Sequence, residues 1–188
     1  MDNGLSRKGI GRRRLLRLCG VAAAASLLPA PAAALAGRSW PGEKSISLLN
    51  THTGESLACV YRADGAYLTG ALADIDRLLR DHRTGEIRPI DPRLIDQLHA
   101  LAARLGADGP FRVISGYRSV RTNEMLRRHS RGIAKRSLHL EGRAVDVSLP
   151  GVALADLTRA ARALRAGGVG HYPDSGFVHL DTGAVRTW

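Results

Sequence analysis

Apolar and polar residues alternate along two neighbouring segments, residues 45–49 and 56–62, and this spacing of two predicts a pair of strands. Between them lie Thr53 and Gly54, a pair that is typical of a tight turn. The two segments therefore predict an antiparallel hairpin.

Apolar residues at spacings of three and four predict helices further along the chain, and the strongest of these begins at Asp91-Pro92 and ends at Gly106. We predict helices over residues 72–79, 91–106, 119–128 and 154–164. Shorter β-type runs predict strands over residues 111–115, 143–149, 169–172 and 177–181. The mixture predicts one α+β domain over residues 45–188, preceded by a linker over residues 37–44.

The first 36 residues follow a different pattern, with six basic residues, an apolar run over residues 18–28 and an A-L-A sequence ending at Ala36. These three parts predict a secretory signal peptide, and the consecutive arginines at 12–14 indicate the twin-arginine export route. A membrane anchor is the alternative, but the apolar run is shorter than the roughly 20 residues that a spanning helix needs. We therefore expect cleavage after Ala36, a periplasmic protein and no stable membrane anchor.

Composition narrows the function classes. The 188 residues carry 28 Lys+Arg against 17 Asp+Glu, a net charge of +11. The predicted signal accounts for six of the basic residues and one acid, which leaves 22 against 16, or +6, on the remaining 152 residues. That charge suits attraction to an anionic polymer or simple surface solubility. Aromatic residues make up only 4%, so we expect no nucleic-acid partner.

Three segments of the C-terminal half carry polar groups where a plain core would not need them: residues 115–119, 137–147 and 177–181. Alternation along a strand puts His179 and Asp181 on one face, and Asp146 lies inside an apolar β-type run. If these strands are neighbours, Asp146 and His179 can meet, with His139 coming from the preceding loop. Two histidines and one aspartate leave a fourth position open, which is the arrangement of a catalytic zinc site.

Each of these residues also has a simpler interpretation. A histidine on a strand is more often structural than a metal ligand. A buried aspartate needs a partner, and Arg143 or Arg118 could supply one to Asp146. The combination of H-x6-D, an intervening glycine and a later strand histidine favours the metal site.

That combination resembles a known family. The motifs S-G-Y-R-S (115–119), S-L-H-L-E-G-R-A-V-D (137–146) and F-V-H (177–179) are similar to those of the zinc peptidases grouped with D-Ala-D-Ala carboxypeptidases and hedgehog-type domains. The resemblance is closer to the murein endopeptidase K branch of exported bacterial enzymes. It is carried by N-T-H-T-G-E-S (50–56), I-D-P (90–92), S-R-G-I-A-K (130–135), R-A-G-G-V-G (165–170) and D-T-G (181–183).

The resemblance implies a small antiparallel sheet flanked by helices. It also implies one zinc ion held by His139, Asp146 and His179. The implied activity is hydrolysis of peptide cross-links between peptidoglycan stem peptides, with the diaminopimelate–diaminopimelate bond favoured. We expect the enzyme to be a monomer.

The resemblance identifies the catalytic residues less directly than the zinc ligands. Arg118 is our candidate for stabilising the oxyanion, because its charge is permanent and its donors are directional. Carboxypeptidase relatives place a glutamate three residues before the last histidine ligand, or a histidine two residues before it, and this chain has Gly176 and Phe177 there. We favour Asp181 as the general base, although it could equally orient His179.

Other candidates for the base remain open, namely Asp174 and His171 in and before the preceding turn, and Glu141 in the loop. Two other functions are also consistent with the sequence. One is a D,D- or L,D-carboxypeptidase acting on stem peptides. The other is a non-catalytic domain that binds peptidoglycan or a metal, which the glycine at position 176 keeps open.

Overall fold

A computed structural model describes Met1 and residues 42–129 and 134–188. The predicted signal peptide, most of the predicted linker and the core of the motif at 130–135 lie outside these residues. No helix among the described residues is long and apolar enough to cross a membrane.

The described chain forms four helices and eight strands. The helices are α1 (Thr69–Leu78), α2 (Pro92–Leu105), α3 (Val120–His129) and α4 (Leu154–Leu164). The strands are β1 (Lys44–Asn50), β2 (Ser56–Ala63), β3 (Ala66–Tyr67), β4 (Phe111–Ser115), β5 (Ala144–Ser148), β6 (Gly168–Tyr172), β7 (Phe177–Asp181) and β8 (Arg186–Thr187). A short 3-10 helix spans Leu138–Glu141. The predicted α+β composition is confirmed.

All eight described strands join one sheet, in the order β3-β2-β1-β4-β5-β7-β6-β8. The sheet is mixed, because β1 pairs with β4, and β6 with β8, in parallel. The other five pairs are antiparallel, so the prediction of an antiparallel sheet is confirmed for most of it, whereas the sheet is larger than predicted and mixed in direction. A parallel pair needs a long crossover, and the segment holding α1 and α2 supplies it between β1 and β4.

Helices α2 and α4 pack on one face of the sheet and close the core with buried leucines such as Leu98, Leu101 and Leu157. Helix α2 begins as its sequence predicts: Asp91 accepts a hydrogen bond from the Arg93 backbone N–H (3.0 Å). In β7, Val178 and Leu180 are buried in the core, so the alternate residues of that strand face the other side of the sheet. That other side carries the polar groups.

Candidate metal centre

Strands β5 and β7 lie side by side in the sheet, which is the condition under which Asp146 and His179 were expected to meet, and their register places the two residues directly opposite each other. The two side chains leave the same face of the sheet because cross-strand partners do so. The His179 Nδ1 atom lies 2.8 Å from Asp146 Oδ1. Alternation gives the face of each side chain, and the pairing of β5 with β7 brings the two together.

His139 reaches the same point from the 3-10 helix. Ser137 caps this helix by accepting a hydrogen bond from the His139 backbone N–H (3.4 Å). Gly142 ends it at a φ of 69°, and a side chain there would run into the Pro89 carbonyl, so glycine is required. This tight loop buries His139 and directs its ring at Asp146 and His179.

The orientation of the His139 ring fixes which nitrogen is free. Its Nδ1 atom lies 2.7 Å from the Gly116 carbonyl oxygen, which can only accept, so Nδ1 carries the proton. The Nε2 atom then keeps its lone pair and faces His179 Nδ1 at 3.2 Å and Asp146 Oδ1 at 3.3 Å. A backbone carbonyl that holds the outer nitrogen is the usual support of a metal-ligating histidine.

Three acceptor atoms thus converge, with separations of 2.8, 3.2 and 3.3 Å. Lone pairs this close repel one another unless a cation or a proton lies among them. Donors bound tetrahedrally to zinc at about 2.0–2.1 Å are about 3.3 Å apart, so the three atoms fit that ion. Two imidazoles and one carboxylate are also donors that zinc accepts.

Asp181 lies at the Nε2 side of the His179 ring, opposite the Nδ1 atom that faces Asp146. Its Oδ2 atom accepts the Nε2 proton of His179 (3.1 Å), which leaves Nδ1 as the nitrogen that could bind a metal. The same carboxylate accepts hydrogen bonds from the backbone N–H groups of Gly168 and Gly183, at 2.9 and 2.8 Å, and from Arg186 at 2.7 Å. The side chain is fully buried, so this geometry supplies a holder for His179 and no free oxygen for a water.

The other candidates for the base lie further from the three ligand atoms. His171 pairs with Val178 across β6 and β7 and so faces the core side, where its Nδ1 atom lies 2.8 Å from Thr158 Oγ1 of α4. Asp174 lies in the exposed turn between these strands. Glu141 forms an exposed ion pair with Arg143 (3.0 Å). The opposite-face position of His171 removes it from the candidates for a proton acceptor at the metal.

Arg118 lies beside the three ligand residues and is largely buried. Its Nη2 atom is 3.9 Å from Asp146 Oδ2, so one of the two arginine partners foreseen for Asp146 is present along with the histidines. Burial lowers the pKa of Arg118, and the charge of Asp146 counteracts this effect. A guanidinium in this position can bind an oxygen that gains negative charge next to the metal.

The turn that carries Arg118 is fixed by its backbone. The Tyr117 N–H donates to the Leu79 carbonyl at the end of α1 (2.7 Å), and the Arg118 N–H donates to the His139 carbonyl (3.1 Å). Gly116 makes this approach possible, since a Cβ there would lie 2.4 Å from the Leu79 oxygen. The loops of Arg118 and His139 therefore hold each other in place.

The charges of the centre stabilise one another. Burial would raise the pKa of Asp146, but the adjacent His139 and His179 hold it well below its usual range. Burial would lower the pKa of His179, but hydrogen bonds to Asp146 and Asp181 raise it instead. Asp146 is therefore anionic at neutral pH.

An aromatic wall lies beside the centre, and its Trp188 is a residue that the sequence did not single out. The ring of Trp188 lies 5.3 Å from that of His179, and its Nε1 donates to the Tyr172 hydroxyl (2.8 Å). Tyr172 stacks on Phe177 at 4.7 Å. Gly170 leaves room for the wall, because a Cβ there would lie 2.7 Å from the Trp188 ring. Trp188 follows the two-residue strand β8, which is too short to show periodicity.

Comparison with known families agrees with this geometry. The sequence model of the Peptidase_M15_2 family, described as peptidoglycan L,D-endopeptidase MepK, matches residues 38–188. The chain belongs to the MepK family. The predicted resemblance to the murein endopeptidase K branch is thereby confirmed, and with it membership of a peptidase family.

Curated MepK proteins are similar over nearly the whole chain. The peptidoglycan L,D-endopeptidase MepK of Escherichia coli K12 is 47% identical over 177 residues, which cover 94% of this chain and 96% of that protein. The probable peptidoglycan L,D-endopeptidase MepK of Haemophilus influenzae is 40% identical over 178 residues, covering 94% and 95%. Among solved structures, the L-Ala D-Glu endopeptidase ChiX of Serratia marcescens is 26% identical. It covers 40% of this chain and 62% of that one, with a TM-score of 0.32.

Proposed function

We propose that this protein is a zinc-dependent peptidoglycan endopeptidase that hydrolyses peptide cross-links, with the diaminopimelate–diaminopimelate bond as the favoured target. Membership of the MepK family supports the reaction and the polymer. The observation that carries the chemistry is the convergence of His139 Nε2, His179 Nδ1 and Asp146 Oδ1.

These three atoms would hold the ion. Zinc, when bound, lowers the pKa of a coordinated water and polarises a carbonyl. Asp146 contributes the negative charge, and the two histidines bind as neutral imidazoles whose outer N–H groups donate to Gly116 and Asp181. The two outer acceptors support the tautomer in which each histidine presents its inner nitrogen to the ion.

Arg118 binds the scissile carbonyl oxygen and stabilises the charge that develops there. Its position next to Asp146, on the turn fixed by Leu79 and His139, supports this role. We propose a positioning role for Asp181, in place of the general base that the sequence favoured, because every oxygen of its carboxylate already accepts from the protein. It keeps the proton on Nε2 of His179.

Purified sacculi test the proposed function directly. The protein is incubated with sacculi, with and without a chelator, and the released fragments are identified by mass spectrometry. Chelator-sensitive release of fragments cut inside cross-links is the expected result. Release of terminal residues alone would instead make the protein a carboxypeptidase, and binding without release would make it a non-catalytic domain.

Matched histidine variants connect that activity to the site. His139→Ala is expected to abolish release, whereas His129→Ala, at the exposed end of α3, is expected to leave release unchanged. Full activity of His139→Ala would contradict the ligand assignment.

Export is a separate part of the proposal. The basic, apolar and A-L-A parts of residues 1–36 support a twin-arginine signal and a periplasmic location. Replacing Arg12 and Arg13 by lysine is expected to keep the protein in the cytoplasm, and N-terminal sequencing of exported protein is expected to begin at Gly37. An unchanged location would contradict the twin-arginine route. We also propose a monomer, which light scattering in solution tests.

A further inference from the structure

A cleft of about 610 Å³ lies between the segment that follows α1 and helix α3. Arg83, Thr84 and Glu86 line one side, and Arg121, Glu124 and Arg128 of α3 line the other. None of these residues belongs to the metal-ligand cluster, so the cleft is a second site on the molecule.

The cleft carries an excess of positive charge. Its three arginines are exposed, and within residues 42–129 and 134–188 none of them forms an ion pair with a carboxylate of the protein. Arg80, close to the cleft in sequence, is by contrast neutralised by Glu55 at 2.7 Å. The guanidinium groups of the cleft are therefore available to an external ligand.

Hydrogen bonds connect the cleft to the Arg118 turn. Thr122 also lines the cleft, but it is buried, and its hydroxyl donates to the carboxylate of Asp81. The same carboxylate accepts from the backbone N–H groups of Arg83 and Ser119, each at 2.8 Å, and Ser119 directly follows Arg118. Arg83 is also close enough that its charge adds to the lowering of the Arg118 pKa. Asp81 thus joins both sides of the cleft to the backbone of the turn that carries Arg118.

We propose that this cleft binds the carboxylates of a peptidoglycan stem peptide and so holds the substrate alongside the metal centre. The choice of ligand rests on the proposed function. Arginine binds carboxylates through two parallel hydrogen bonds, which gives both affinity and orientation. Glu86 and Glu124 of the cleft can pair with an ammonium group. A stem peptide that contains a diamino acid carries both ammonium and carboxylate groups, with the carboxylates in excess. In this proposal three arginines of the positively charged chain, Arg83, Arg121 and Arg128, bind substrate.

A binding measurement tests the inference without turnover. The probe is a stem tripeptide that ends in diaminopimelate and has no cross-link, titrated calorimetrically into the metal-loaded protein. We expect the double variant Arg83→Gln/Arg128→Gln to bind it at least tenfold more weakly than the wild type. Arg104→Gln on α2, an exposed arginine outside the cleft, serves as the matched control and is expected to bind normally. Melting temperatures confirm that all variants fold.

A second probe assigns the effect to the carboxylates. The same tripeptide with its carboxylates amidated is expected to bind the wild type as weakly as it binds the double variant. Equal affinity of wild type and double variant for the free-carboxylate peptide would overturn the proposal, as would an equal loss in Arg104→Gln. Displacement of the peptide by inorganic phosphate at the same concentration would show a general anion site and would overturn the assignment to stem peptides.

Kinetics separate this inference from the proposed function. With a cross-linked fragment, the double variant is expected to show a raised KM and an unchanged kcat, because the cleft contacts substrate away from the reacting atoms. A wild type that binds the tripeptide through the cleft but never cleaves would refute the proposed function and leave the cleft site standing. A wild type that cleaves, with the same KM as the double variant, would refute the cleft site alone.

Discussion

The carboxylate of Asp181 accepts hydrogen bonds from a histidine ring, an arginine and two backbone N–H groups, and it is fully buried. Asparagine has the same shape as aspartate, but it has one oxygen and no charge. In Asp181→Asn the amide NH2 group would therefore face hydrogen-bond donors, among them Arg186, and could not accept their hydrogen bonds. We expect zinc affinity to fall about 10- to 100-fold, the range for loss of a partner that holds a metal-ligating histidine. Competition with a chelating dye measures this affinity.

Asp174→Asn, in the exposed turn between β6 and β7, is the matched control and is expected to bind zinc normally. If Asp181→Asn instead keeps full zinc affinity but loses turnover, Asp181 acts on the reaction itself and the positioning role is wrong.

Asp81 stabilises the turn that carries Arg118 by hydrogen bonds to the neighbouring residue Ser119. It accepts from the backbone N–H groups of Ser119 and Arg83 and from the hydroxyls of Ser119 and Thr122. We expect Asp81→Asn to lower the free energy of unfolding by about 1–3 kcal/mol, since buried donors lose a charged acceptor. Urea denaturation measures the change, and Asp108→Asn, in the exposed loop after α2, is the control.

We also expect the effect of Asp81→Asn on stability to depend on pH. Burial would raise the pKa of Asp81, but its hydrogen bonds hold it well below the usual range in the folded protein. A lowered folded pKa stabilises the protein above the pKa of an unfolded aspartate, about 3.9, and this stabilisation is lost as the pH falls below that value. The difference in stability between wild type and Asp81→Asn is therefore expected to narrow below about pH 4. A constant difference down to pH 2 would contradict it.

The aromatic wall is built by Tyr172 at the end of β6, Phe177 at the start of β7 and Trp188, which follows β8. Gly170 of β6 makes room for the Trp188 ring, because a Cβ added at this position would lie 2.7 Å from that ring. We expect Gly170→Ala to push the indole away from His179 and Tyr172 and to cost about 1–3 kcal/mol, as overpacking does. Trp188 fluorescence, recorded in a Trp40→Phe background, reports the displacement.

Gly109→Ala provides the control, because a Cβ there meets nothing within 4 Å. An unchanged Trp188 emission in Gly170→Ala, with an unchanged melting temperature, would mean that the indole does not pack on Gly170 in solution.

Element by element, periodicity predicted the helices and the six longer strands, because each is long enough to show a repeat. Strands β3 and β8 have two residues each, and two residues show no alternation. The parallel pairing of β1 with β4 depends on a crossover, which local patterns do not encode. Asp146 and His179 could be singled out because alternation fixes their face, and His139 by its H-x6-D spacing to Asp146. Asp81 could not, since its partner Ser119 is 38 positions away.

At the scale of the whole molecule, the metal centre joins parts that are far apart in the chain: the 3-10 helix, β5 and β7. An unfolded chain does not preform such a site, so binding energy becomes folding energy. Free zinc at 100 times its Kd would add about 2.7 kcal/mol to the stability. For a domain of this size we expect a melting temperature about 5–10 °C higher than in chelator.

Scanning calorimetry with zinc and with a chelator measures this shift in the wild type and three variants. The wild type and His129→Ala are expected to show the full shift, because the exposed end of α3 contributes no ligand atom. His139→Ala is expected to lose most of it, since two ligands from adjacent strands bind far more weakly than three. Asp174→Asn is expected to behave as the wild type does. An equal shift in His139→Ala would place the stabilising ion elsewhere and would separate the folding role of the metal from the proposed catalytic centre.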